Sequence, residues 1–136
     1  FCSGGAAGGN GDSFYFSAQG AVGNNFEFQV RQQGAPTGAI NFGRNVGPGG
    51  SDLLPRGQWR NIEVLIIGNT GSNNNGELHV WINGVKTHQY TGLRPLASNS
   101  QGFHSVRWEP TWGGVGGTVS QAMSQFVDHV YISRAP

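Results

Sequence analysis

WRNIEVLIIGNTGSNNNGELHVWINGVKTHQY, residues 59–90, is the stretch that decides the fold class. Residues 59–67 and 77–83 are rich in β-branched and aromatic side chains, which suit a pleated, half-buried surface, and they read as strands. Between them GNTGSNNNG, residues 68–76, holds turn formers and nothing apolar to bury. Asn83-Gly84 then stands between two apolar-alternating runs. Both residues tolerate the positive φ that a two-residue hairpin turn requires, so a third strand is predicted to run to Tyr90.

On the N-terminal side, FCSGGAAGGNGD (residues 1–12) reads as a flexible Gly/Ala-rich arm, and residues 13–136 as a single domain. Strands are predicted over 13–19 and 26–32, with Phe26, Phe28 and Val30 facing the core, and a short one over 39–42. The loop over 43–57 is long for a compact domain, which marks it as functional or as a crossing over a sheet edge. On the C-terminal side a loop over 91–102 leads to a strand that Pro110 ends, then to a glycine-rich turn after Trp112. A single helical turn is placed at 118–124, and a closing strand over 125–133. No stretch keeps helical periodicity over three turns. Seven or eight short strands with long loops point to an all-β fold, a two-sheet antiparallel β-sandwich.

Composition agrees. The 136 residues suffice for one domain that buries roughly two thirds of its unfolded surface. Charged residues make up 11%, far below the usual share of about 25%, and the 24 glycines fall mostly between apolar runs, as in a turn-dense β chain. Seven arginines and one lysine are scattered, with a net charge of +1 and no basic stripe, so nucleic acid is not an expected partner. No apolar run approaches the roughly eighteen residues of a membrane span. Cys2 is the sole cysteine, which excludes an internal disulfide and a cysteine-based metal site. It is left as a free thiol, a lipidation site or a bond to another chain. A chain beginning with Phe1 is expected to be a processed product or a fragment. Scarce lysine with abundant Gly, Asn, Ser and Thr suits an extracellular, cell-surface or virion-surface location.

Strand alternation sorts the side chains. Ile62, Val64 and Ile66 share one face, and Leu78, Val80 and Ile82 continue it. Asn61, Glu63 and Leu65 share the other, with Glu77, His79, Trp81 and Asn83. In the closing strand Phe126, Asp128, Val130 and Ile132 oppose Val127, His129 and Tyr131. Asn61, Glu63, His79, Trp81, His129 and Tyr131 are thereby predicted to line one sheet face. Such a face suits sugar, because aromatic rings stack on pyranose C–H surfaces while polar tips hydrogen-bond hydroxyls. Its competing role is a plain solvent face stabilised by cross-strand pairs. Trp112, on a glycine-rich loop, is a further candidate ligand contact. For catalysis, His79 with Tyr131, or His129 with Glu63, has the base and acid needed for β-elimination from a uronic acid.

Other chemistries find little support. No paired carboxylates form a glycosidase motif. The four histidines lack helical i, i+4 spacing and cysteine partners, so no zinc site is expected. Asp128 with loop carbonyls is a weak calcium candidate without the calcium-loop pattern, and no other cofactor is expected. The GGVGG run has neither the Lys-Ser/Thr nor the strand–helix context of a phosphate loop.

Three segments together, GQWRNIEVLIIGNT (57–70), NGELHVWINGVK (75–86) and VRWEPTWGGVGGT (106–118) before VDHVYIS (127–133), resemble the concanavalin A-like lectin/glucanase superfamily, in particular its polysaccharide-lyase-like domains. The resemblance covers about the second half of the chain. It implies a jelly roll whose concave face binds glycan. The E-x-D-x-x-E strand of the hydrolase branch is absent here, as are the R-x-E-x-R and Q-x-H strands of alginate-lyase-like domains. These departures favour a binding or building-block role. The leading expectation is a non-catalytic carbohydrate-binding domain that grips a glycan or polysaccharide through Trp81, Tyr131 and polar neighbours. The alternatives are a structural subunit, such as a phage decoration protein or extracellular filament coat, docking on neighbours through residues 1–12, and a polysaccharide lyase using His79 and Tyr131.

Overall fold

The computed structural model describes residues 54–96 and 124–133 in full and, in addition, the strand placement of 2–4, 12–22, 25–33, 40–41, 53 and 103–106. The strands in chain order are β1 (Cys2–Gly4), β2 (Asp12–Val22), β3 (Asn25–Gln33), β4 (Ile40–Asn41), β5 (Leu53–Pro55), β6 (Ile62–Ile67), β7 (Gly76–Ile82), β8 (Val85–Leu93) and β9 (Phe103–Val106). The chain is all-β, and no helix occurs among the described residues. In particular, none there is long and apolar enough to cross a membrane.

Six strands form one sheet in the order β4-β3-β2-β1-β9, with β5 also pairing β3, and β6-β7-β8 form a second. Every pairing is antiparallel. Two strands lie where sequence patterning shows none. Cys2–Gly4, within the expected arm, pairs with both β2 and β9, so this part of residues 1–12 is a strand inside the sheet. Backbone hydrogen bonds suffice for such pairing, and a Ser/Gly segment carries no apolar period to betray it. Leu53–Pro55, in the expected loop over 43–57, pairs with Asn25–Glu27, and Pro55 falls at its end, where the missing N–H costs least.

The three-stranded sheet follows from its turns. Asn83 and Gly84 adopt φ of 51° and 76°, and Ile82 pairs with Val85 across them, so the turn is the two-residue hairpin predicted from the dipeptide. Asn83 also seals the start of β6. Its N–H donates to the Asn61 carbonyl at 2.9 Å, and its Oδ1 accepts from the Asn61 N–H at 3.0 Å. Register then places Ile62, Val64 and Ile66 opposite Ile82, Val80 and Leu78 on one face, and Glu63, Leu65 and Ile67 opposite Trp81, His79 and Glu77 on the other. Leu78, Val80, Ile82 and Leu93 are the buried core of the first face, with Leu54, Ile66 and Tyr90 packed against them. Burial contributes about 1.5–3 kcal/mol for each such aliphatic side chain.

A bulge in β8 shifts register between Val80 and Trp81, which pair with His88 and Lys86 and leave Thr87 unmatched. The shift sends His88, only 1% exposed, onto the aliphatic face. Its Nδ1 lies 2.8 Å from Thr87 Oγ1, which is also 3.4 Å from the Val80 carbonyl, and its ring tilts against Tyr90.

The polar loop after β6 is wired rather than loose. Asn69, 6% exposed, accepts a hydrogen bond at Oδ1 from the Leu96 N–H at 2.8 Å. Its amide donates to the carbonyls of Gly71 at 2.6 Å and Leu96 at 3.1 Å. Asn75 Oδ1 accepts from the Thr70 N–H at 2.8 Å. Gly76 must be glycine for steric reasons: a β-carbon there would meet Pro95 Cδ at 2.8 Å and the Ile67 and Leu93 carbonyl oxygens at 3.0 Å.

The closing strand expected over 125–133 does not form. Residues 124–133 carry no regular secondary structure and are exposed throughout. The cause is local side-chain chemistry. Asp128 Oδ1 accepts from the His129 N–H at 2.8 Å, Oδ2 lies 3.0 Å from His129 Nδ1, and His129 takes a φ of 52° that breaks the extended run. The helical turn expected at 118–124, apart from Ser124, and the glycine-rich turn after Trp112 lie outside the described residues.

Candidate functional site

The polar face of β6-β7-β8 assembles part of the expected constellation. His79 and Trp81, two residues apart on the central strand, point to the same side, and their rings stack with centroids 5.8 Å apart and planes inclined by 15°. Glu63 is the register partner of Trp81 on β6, and Lys86 its partner on β8. The Lys86 ammonium sits 5.2 Å from the Trp81 ring centroid, within cation–π range. Gln89, opposite His79 on β8, accepts from Lys86 Nζ at 3.4 Å.

Each group has a distinct mechanical role. Glu77 Oε2 lies 2.8 Å from His79 Nε2, which fixes the imidazole plane and, in a neutral ring, places the proton on Nε2. His79 is 8% exposed, and its Nδ1 is buried without a hydrogen-bond partner. Glu77 on one side and the indole on the other restrain this ring. It braces Trp81, which stays partly exposed at the face. Glu63, Lys86 and Gln89 are exposed around it and supply an acceptor, a cation and an amide. The result is a fixed aromatic ring bordered by polar tips of both charge signs.

The expected residues divide as follows. Glu63, His79 and Trp81 come together. Asn61 is exposed at the start of β6, where its backbone is engaged by Asn83. His129 and Tyr131 do not join the sheet face, since their segment is not a strand and Tyr131 is 86% exposed. The base–acid pairs His79 with Tyr131 and His129 with Glu63 are therefore not assembled among the described residues. Both Asp128 carboxylate oxygens are engaged with His129. No group of three or more His, Cys, Asp or Glu that would hold a metal occurs among the described residues. Trp112 lies outside them.

Lys86, Glu77 and Gln89 are additions to the sequence-derived set. A signal for Lys86 exists: the two-residue turn pairs Ile82 with Val85, which puts position 86 opposite Trp81. Glu77 was legible as an i, i+2 neighbour of His79 on one strand face. Gln89 depends on the β8 bulge, which no sequence pattern marks.

No family model matches the chain, no curated protein does, and no solved structure does.

Proposed function

We propose that this protein is a non-catalytic carbohydrate-binding domain that recognises a glycan or polysaccharide on the polar face of β6-β7-β8. The observation that carries the reading is the Trp81 ring, fixed by its stack on a Glu77-anchored His79 and bordered by Glu63, Lys86 and Gln89. The partly exposed indole offers apolar surface to sugar C–H groups where His79 and Lys86 leave it open, and the surrounding carboxylate, ammonium and amide match hydroxyl groups. The same reading takes the two sheets as a concanavalin A-like sandwich at an extracellular or particle surface. Leu54 of β5, packed against the aliphatic core of β6-β7-β8, supports that arrangement. A glycan array with the wild-type protein and Trp81→Ala tests it. Binding to a set of related polysaccharides, weakened about tenfold or more by the substitution (roughly 1.4 kcal/mol), is the expected result. Absence of binding to every polysaccharide, or equal binding by the variant, would remove the support.

A second reading is a structural subunit that assembles with copies of itself. It is favoured by the large apolar side chains left exposed on β6 and on residues 126–132. β-Elimination has no such support, because the base–acid pairs it needs are not assembled.

A further inference from the structure

Among the described residues two apolar elements lack partners, and each could serve the other. The first is the open edge of β6. Among the described residues β6 pairs only with β7, and Ile62, Val64, Leu65 and Ile67, drawn from both faces, are all about 40% exposed. An edge strand is ordinarily protected by lysine, proline, a bulge or a covering loop. Ile62–Ile67 contains neither lysine nor proline, and its register with β7 is unbroken. The second element is the segment 126–132, FVDHVYI. It is rich in β-branched and aromatic residues, as strands are, yet Phe126, Val130, Tyr131 and Ile132 are about two-thirds exposed or more. The Asp128–His129 pair, with His129 at positive φ, interrupts its extended backbone. A non-glycine residue in that region is strained, and its relaxation to extended backbone frees the His129 N–H for ladder pairing.

We infer that residues 126–132 of a second copy add as a strand to the β6 edge, and that the exchange is reciprocal, giving a two-fold dimer. Both elements are exposed within one folded chain, so each remains for another copy to cover. A reciprocal exchange covers both β6 edges and orders both segments at once, and its two-fold symmetry closes it at two copies. The inference deepens the structural-subunit reading and is independent of glycan binding.

Sedimentation velocity of the full chain, with Val64→Lys and the double variant Val130→Lys/Ile132→Lys, tests it. The wild type is expected to be a dimer, and each variant a folded monomer with a cooperative urea transition and a β-type far-UV circular dichroism spectrum. An equimolar mixture of the two variants is expected to regain dimer, because one intact edge and one intact segment remain to pair. Hydrogen exchange in the wild-type dimer is expected to protect amides of 62–67 and 126–132 together, and both sets are expected to open on dilution to monomer. A dimer insensitive to both variants would overturn the strand exchange while leaving the subunit reading. A wild-type monomer would overturn both, and one in which 62–67 and 126–132 are already protected would show that the segment covers its own chain's edge.

Discussion

Asn69→Ala is expected to lower stability by about 3 kcal/mol, a large effect for one residue in a loop of glycines and asparagines. The side chain makes three hydrogen bonds, to Leu96 N–H, Leu96 C=O and Gly71 C=O, at 2.8, 3.1 and 2.6 Å. Each is worth about 1 kcal/mol net, and alanine also leaves the buried Leu96 N–H and C=O without this partner. Against a total of about 5–15 kcal/mol, the loss lowers the melting temperature by roughly 10 °C. Urea unfolding followed by far-UV circular dichroism measures it, with an unchanged denaturant slope confirming that folded and unfolded states keep their compactness. Asn69→Asp is the sharper control. It is nearly isosteric and still accepts from the Leu96 N–H, but it loses both donors and sets a carboxylate against two carbonyl oxygens. It is expected to be no more stable than the alanine variant. An alanine variant within about 0.5 kcal/mol of wild type, or an aspartate variant equal to wild type, would refute the clamp.

Other positions test other parts of the structure. Gly76→Ala is expected to destabilise by about 1–3 kcal/mol, since the methyl group collides with Pro95 and two backbone carbonyls that cannot easily yield; the same urea titration reads it. Gly84→Ala forces a β-carbon into the left-handed region at φ 76° and is expected to cost about 1–2 kcal/mol, with Gly84→Asn milder because asparagine tolerates that region.

The antiparallel pairing of residues 59–90 was legible for a physical reason. Asn83-Gly84 specifies a two-residue turn, the turn specifies register, and register sorts every side chain between two faces. Ile62, Val64, Leu78, Val80 and Ile82 therefore fall on one face, and Glu63, His79 and Trp81 on the other, by the alternation of the pleat alone. What escaped is what alternation cannot carry. Asn69 clamps a partner 27 positions away, and nothing in a run of polar turn formers marks one asparagine as buried. His88 reaches the aliphatic face because Thr87 is an extra residue in β8. In residues 125–133 the β-branched and aromatic content favours a strand, but the Asp128 carboxylate captures the next N–H and a local turn forms instead. β1 pairs through its backbone, so its Ser and Gly residues leave no pattern to find.

The indole N–H groups of the four tryptophans give separate signals in a two-dimensional nitrogen–proton NMR spectrum, and Trp81→Ala assigns the one that matters. Titration with a polysaccharide selected on the array is predicted to shift the Trp81 indole signal together with the backbone amides of Glu63, Lys86 and Gln89. Shifts confined to other tryptophans and other strands, with the Trp81 signal unmoved at saturation, would contradict the assignment of this face as the binding site.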